Sequence, residues 1–179
     1  APFVDAKPGM RVVDACAGTG GKTLHLAALM QNKGRIIALD TAIWKLDVLK
    51  QRALRAGVTI IETKPIETTK VIKRLAGTAD RVLIDAPCSG LGVLRRNPDA
   101  KWKITPAKIQ KLIGEQREIL ASYCRMVKQG GMLIYATCSI LPSENRRQVD
   151  NFLSTHPEFT FVEDKTIGPD MYNCDGFYM

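Results

Sequence analysis

The order of apolar runs along the chain predicts an α/β fold, a mostly parallel sheet with helices on both faces. Three observations carry this. Apolar runs rich in β-branched residues recur at 11–15, 35–40, 58–62, 81–85, 132–137 and 159–163; stretches of helical period separate them; and turns bearing glycine or cysteine follow several of the runs. Continuous apolar strands alternating with helices belong to parallel sheets buried on both sides. Ligands of such sheets bind beyond the carboxyl ends of the strands.

Each element has a local reason. An amphipathic stretch follows the glycine turn after the first strand. Trp44, Leu46, Val48, Leu49, Ala53 and Leu54 recur at helical spacing. So do Ile109, Leu112, Ile113, Leu120, Tyr123, Cys124 and Val127, with Thr105 as the cap and Pro106 in the first helical position. A third helix is expected from near Pro142 to before Pro157, with Val149, Phe152 and Leu153 on one face.

The 179 residues, 45% apolar and 25% charged, suit one ordinary domain and exclude intrinsic disorder. No apolar run approaches the ~18 residues of a membrane span, and no signal peptide opens the chain, so a cytoplasmic monomer without membrane contact is expected. The start at Ala1-Pro2 and the stop at Met179 within a strand-like run suggest a single domain over 1–179 that is a fragment of a longer protein. Five cysteines without a Cys-x-x-Cys pair predict reduced thiols and no metal.

The net charge of +8 is uneven: residues 1–89 carry +6, residues 90–128 carry +6, and residues 129–179 carry −4. The dense middle segment, with Arg95, Arg96, Lys101 and Lys103, reads either as a solvated face or as a phosphate-contacting surface beside a stacking residue, Trp102.

The first strand runs into Asp14-Ala15-Cys16-Ala17-Gly18-Thr19-Gly20-Gly21-Lys22-Thr23. Glycines at a strand-to-helix turn admit positive φ and let a ligand approach free N–H groups. The Walker pattern fails, because Cys16 stands where its first glycine belongs; G-x-G-x-x-G fails at Thr23. A short Gly-x-Gly turn remains, with Asp40 ending the second strand 22 residues after Gly18. An acidic residue there can accept both ribose hydroxyls, and adenosine without a pyrophosphate points to S-adenosylmethionine. The plainer reading is a tight turn with Asp40 capping the next helix. Lys22, a cation in a helix's first turn, opposes the macrodipole; it is either solvated or reaches into the site.

The fourth strand ends in Asp85-Ala86-Pro87-Cys88-Ser89-Gly90 and the fifth in Thr137-Cys138-Ser139, so both thiols are expected at one edge of the sheet beside the cofactor turn. Cys124, on an apolar helix face, reads as a small buried hydrophobe. Together with Arg96-Asn97-Pro98-Asp99, Lys101-Trp102 and the glycine turn, these motifs resemble the Sun/Nop2 family of RNA cytosine-5 methyltransferases over essentially the whole chain. The resemblance implies a Rossmann-like class I methyltransferase fold using S-adenosylmethionine. RNA is the implied partner, ribosomal RNA first and transfer RNA as the alternative. It implies Cys138 as the nucleophile that adds to carbon 6 of cytosine, Cys88 as the thiol that assists release, and Asp85 with Lys22 at the base edge. Pro87-Cys88 taken alone suggests Cys88 as nucleophile, as in DNA cytosine-5 methyltransferases. Cofactor contacts fall on Cys16, Ala17, Gly18, Thr19, Gly20, Gly21, Lys22, Asp40 and Asp85, and RNA contacts on Arg95, Arg96, Lys101, Trp102 and Lys103. A thiolate at neutral pH would need a pKa below about 8.5, which a basic site would supply. The acidic residues of 129–179 are expected to face away from the basic segment.

Two departures stand out: Thr19 replaces a usual proline, and no aspartate follows the third strand, leaving Glu62 as a substitute for the adenine contact. Without the family's N-terminal extension, the domain is expected to bind cofactor better than RNA. A nucleotide hydrolase is the competing enzyme, weakened at Cys16. A non-catalytic RNA-binding module is disfavoured by the intact Asp85, Cys88 and Cys138.

Overall fold

The computed structural model describes residues 1–168 and 173–179. Two compact units emerge, one of residues 1–85 with 122–134, the other of residues 86–121 with 135–179.

The first unit is built on a sheet of strand order β3-β2-β1-β4-β5. Strands β1 (Arg11–Asp14), β2 (Arg35–Asp40), β3 (Ile61–Pro65) and β4 (Ala79–Asp85) are joined by helices α1 (Gly21–Leu29), α2 (Ile43–Arg55) and α3 (Lys70–Arg74), and β5 spans Val127–Ala136. Strand β1 pairs in parallel with β2 and β4, and β2 with β3. Val12, Val13, Ile36 and Ile37 are fully buried, which is why these strands read as unbroken apolar runs. The chain leaves β1 for β2 and β3, then returns to β1's other side as β4. That reversal puts the topological switch point, and hence the ligand crevice, at the carboxyl ends of β1 and β4.

Helix α2 buries Leu46, Leu49 and Ala53 on one stripe, whereas Trp44 and Leu54 of the same periodic set face solvent. Strand β3 lies about three residues later than expected, because Val58 N–H closes α2 onto the Ala53 carbonyl and the ladder starts at Ile36↔Ile61.

The second unit holds α4 (Ala100–Lys103), α5 (Pro106–Tyr123), α6 (Arg146–Thr155), β6 (Thr166–Ile167) and β7 (Phe177–Tyr178). Thr105 caps α5 as expected, its hydroxyl accepting the Lys108 N–H at 3.2 Å. The helix stops at Tyr123 instead of reaching Val127, since the Arg125 and Met126 carbonyls accept N–H groups from Gly77 and Thr78. Helix α6 begins at Arg146 after a turn closed on the Pro142 carbonyl. Residues 159–163 form no strand; Val162 is exposed and Phe161 lies under the Arg146 guanidinium. The two-residue strands β6 and β7 pair antiparallel instead, and Tyr178 bridges to Thr137. Cys124 is buried, as a small hydrophobe should be. Among the described residues no helix is long and apolar enough to cross a membrane.

Gly20 combines a φ of +89° with a position where a Cβ would strike the buried Leu49 side chain. Gly20→Ala is therefore expected to cost about 2–4 kcal/mol from left-handed backbone plus overpacking. Leu49→Ala should cost about 2–5 kcal/mol. The double variant should lose less than the sum, since Leu49→Ala removes the group that the new methyl strikes. Urea unfolding of the three variants reads this directly; strict additivity would show that the two sites are independent.

Candidate active site

The turn after β1 is anchored on the two neighbouring strands, β4 and β2. Ala15 N–H donates to the Leu83 carbonyl and Ala17 N–H to the Leu39 carbonyl, both at 2.8 Å. Gly18, at φ +55°, donates its N–H to Asp40 Oδ2 at 2.9 Å, and Asp40 Oδ1 accepts the Ala42 N–H at 2.8 Å. Asp40 thus stitches the glycine turn to the start of α2, as the tight-turn reading requires. Each carboxylate oxygen keeps a second lone pair for a ribose hydroxyl. Arg52 donates to the Thr19 carbonyl at 2.8 Å. Cβ atoms built at Gly18 or Gly21 would meet nothing within 4 Å, so the turn presents an open face. The first N–H groups of α1 have no partner within the helix. Open glycines, free donors and a carboxylate past β2 fit an adenosine-bearing cofactor.

Lys22 is not a solvated lysine. Its Nζ donates to Asp85 Oδ2 at 2.5 Å, with the two side chains 33% and 31% exposed. The Asp85 carboxylate thereby offsets the cation in the first turn of α1, and the pair stands at the switch point between β1 and β4.

Asp14, just before the turn, is fully buried. Its Oδ2 accepts the Thr23 hydroxyl at 2.7 Å, and Oδ1 has no partner. Burial outweighs the Thr23 bond and pushes the carboxyl up to about 6.

In the second unit the two thiols meet: Cys88 Sγ and Cys138 Sγ are 3.3 Å apart. The contact with Cys138 and burial together push the Cys88 thiol up. At Cys88 the expected basic surroundings are replaced by another sulfur, which raises the thiol where a cation would lower it. Around the pair lies a polar cluster that sequence reasoning missed. Ser89, Ser139, Gln116, Glu144 and Asn145 are all buried. Thr137 donates its hydroxyl to Asn145 Oδ1 at 2.5 Å, and Asn145 Nδ2 donates to the Ser139 carbonyl at 2.9 Å. The only available signal was Glu144-Asn145 just past the Thr-Cys-Ser strand end.

The family described as 16S rRNA methyltransferase RsmB/F matches residues 1–178. The chain belongs to this family. It is 40% identical over 160 residues to the probable ribosomal RNA small subunit methyltransferase B of Synechocystis, covering 89% of this chain and 36% of that protein. It is 38% identical to mouse tRNA (cytosine(72)-C(5))-methyltransferase NSUN6, covering 88% of this chain and 35% of that one. The crystal structure of NSun6 from Pyrococcus horikoshii with the S-adenosylmethionine analogue SFG superposes with a TM-score of 0.86 at 26% identity, over 99% of this chain and 48% of that one. The chain spans less than half the length of each of these relatives. Its fold is the Rossmann-like class I methyltransferase fold.

Two expectations about this methyltransferase domain need correction. Glu62 sits in the second position of β3, paired with Arg35 and Lys64, which hold its carboxyl below the usual range. It is therefore not at the strand's carboxyl end, where Pro65 stands and Ile66-Glu67 follows. The acidic tail also does not face wholly elsewhere: Arg96 pairs with Asp175 at 2.5 Å, and Arg95 donates to the Asn173 carbonyl at 2.9 Å. Charge complementarity accounts for Arg96, whereas Arg95 meets the neutral carbonyl and side-chain oxygen of Asn173. Lys101, Trp102 and Lys103 remain outward on α4, with Trp102 80% exposed, Lys101 Nζ 4.8 Å from its ring centroid, and Lys103 paired with exposed Asp99.

Asp14 makes a pH prediction whose sign is the reverse of the common carboxylate case. Its native value near 6 lies above the unfolded 3.8, so the native state binds the proton more tightly and ionisation costs stability. The cost is full above pH ~6 and vanishes below pH ~4. Relative to Asp14→Asn, the wild type should gain up to about 3 kcal/mol as pH falls from 7 to 4. Chemical unfolding of both proteins across that range measures it, and a pH-independent difference would contradict the assignment.

Proposed function

We propose that this chain is the catalytic part of an S-adenosylmethionine-dependent RNA cytosine-5 methyltransferase that works through a covalent Cys138–cytosine adduct. The observation that carries the reading is the 3.3 Å pair of thiols, Cys88 three residues past the end of β4 and Cys138 two past the end of β5. The family resemblance assigns the attack to the thiol of the Thr137-Cys138 motif and the release step to Cys88. The ribosomal RNA substrate is supported by the family description and the Synechocystis relative; transfer RNA, named for the mouse relative, is the second reading.

Carbon 5 of cytosine is a weak nucleophile. Addition of the Cys138 sulfur to carbon 6 forms a C–S bond and pushes electron density to carbon 5. When bound at the glycine turn, S-adenosylmethionine supplies an electrophilic methyl group. Gly18, Gly20, Gly21, Cys16, Ala17 and Thr19 would line its path, and Asp40 would take the ribose. Asp85, hydrogen-bonded to Lys22, would hold the polar edge of the base and offset charge that develops there. Once solvent water takes the carbon 5 proton, the C–H electron pair restores the ring double bond and the C–S bond breaks with its electron pair on the Cys138 sulfur, which the Cys88 thiol can protonate. Lys101 and Lys103 would meet RNA phosphates and Trp102 would stack on a base.

In the full-length protein, Cys138→Ala should form no covalent protein–RNA species and lose more than about a thousandfold in turnover. Cys88→Ala should accumulate the adduct, visible as a shifted band in denaturing gels. Adduct trapped by Cys138→Ala would reverse the two roles, and calorimetry showing ATP binding without S-adenosylmethionine binding would sink the reading.

The outward lysines can be tested separately. Lys101→Ala/Lys103→Ala should weaken RNA binding across sequences and flatten the log-affinity versus log-salt slope by roughly 1.4, at ~0.7 per single-strand phosphate contact. Arg96→Ala, already paired with Asp175, should change that slope less. Filter binding at several salt concentrations distinguishes them; an unchanged slope in the lysine variant would remove α4 from the RNA surface.

A further inference from the structure

Cys88 and Cys138 lie on two separate loops, yet their sulfur atoms stand 3.3 Å apart. The residues that follow the two cysteines converge on one side chain. Ser89 donates its N–H to Glu144 Oε1 at 2.8 Å and its hydroxyl to Oε2 at 2.5 Å, and the Ser139 hydroxyl donates to the same Oε2 at 2.5 Å. From α5, Gln116 Nε2 reaches both Oε1, at 3.0 Å, and the Pro87 carbonyl, at 2.9 Å.

We propose that Glu144 is the positioning residue that sets the spacing of the two thiols, one carboxylate acting as a clasp between the Cys88 loop and the Cys138 loop. This rests on the reading of Cys88 and Cys138 as the working pair. The direction of the hydrogen bonds supports a carboxylate and not merely a polar filler. Ser89 Oγ accepts the Leu91 N–H at 3.4 Å and Ser139 Oγ accepts the Leu141 N–H at 3.1 Å. Each hydroxyl therefore turns its single proton toward Glu144. The serine oxygens, 3.1 Å apart, then have no proton left for each other. Four donors meet two oxygens, the full complement that a carboxylate accepts. Glu144 itself is fixed at the backbone, where the Tyr135 hydroxyl donates to its carbonyl at 2.7 Å.

Glu144→Gln keeps the volume but places an NH2 group against two hydroxyls that point their protons at it, so two of the four bonds must reverse. Ser89→Ala/Ser139→Ala removes the hydroxyl arms and leaves the carboxylate. Phenylarsine oxide reads the spacing without any RNA, because it condenses with two adjacent thiols and releases water. The wild-type chain should capture it across Cys88 and Cys138, as located by mass spectrometry. Both variants should lose capture by about tenfold to a hundredfold, the scale of a misplacement near 1 Å. Alkylation of each thiol by iodoacetamide and affinity for S-adenosylmethionine should stay unchanged, which loss of folding would not allow. In RNA turnover by the full-length protein, kcat should fall with the KM for S-adenosylmethionine constant.

Full capture and full kcat in Glu144→Gln would overturn the positioning role. Should that variant fail to fold, the double serine variant decides by the same criteria. Wild-type chain that does not capture the arsenical overturns the role whatever the RNA chemistry. Capture that depends on Glu144, in a protein that forms no adduct with RNA, keeps the clasp and removes the methyltransferase reading.

Discussion

A buried carboxylate is costly unless its oxygens are met by donors, and the second unit is organised around meeting that demand at Glu144. Desolvating such a group costs several kcal/mol before any compensation. Here the compensation comes from Ser89, Ser139 and Gln116, so three chain segments are committed to one point. None of the three can leave without stranding the charge. The loops that bear Cys88 and Cys138 inherit this rigidity. The sulfur contact follows from the polar cluster beneath it.

Asp14 in the first unit is the opposite case. It is equally buried, but only one of its oxygens is served, and the other has no partner. The result is a carboxyl pushed up to about 6 directly before the glycine turn. One chain therefore holds a fully satisfied buried acid in a structural cluster and a half-satisfied one at a ligand-facing turn. Incomplete satisfaction costs stability, and proteins tolerate such costs mostly where a ligand is to be met. The same asymmetry separates Lys22 from an ordinary surface lysine, since its partner Asp85 comes from the strand on the other side of the switch point.

Much of this was legible in the sequence because it depends on local rules. The glycine turn needed positive φ at Gly18 and Gly20, and has it. The strand ends before Cys88 and Cys138 are marked by apolar runs that stop abruptly. What was not legible depends on tertiary partners. Gln116 occupies a core phase of α5 between Ile113 and Leu120, yet a glutamine at that phase carries no sign that Glu144 and the Pro87 carbonyl wait for it. Strand β3 slipped because α2 closed on Val58, a hydrogen bond invisible to periodicity. Residues 159–163 have a strand's composition without a neighbouring strand to pair with, and pairing decides. The Arg96–Asp175 pair joins positions 79 residues apart, beyond any segmental charge count.

Gly92 joins the thiol loop to the basic segment. Its N–H donates to the Cys138 carbonyl at 2.9 Å, and its own carbonyl accepts the Gly176 N–H at 2.7 Å. A Cβ here would collide with the backbone on both sides, at the Cys138 and Gly176 carbonyls. The segment that carries Arg95, Arg96, Lys101 and Lys103 thus starts from a backbone bond to the proposed nucleophile's own residue. Arg95 and Arg96 then spend their donors on Asn173 and Asp175, which keeps the C-terminal segment against Gly92. The basic segment therefore divides its labour: the two arginines hold the C-terminal segment, and on the proposed reading Lys101 and Lys103 face the polyanion. A basic run read from composition as one surface is two, because the Arg96 charge is already partly offset by the Asp175 carboxylate.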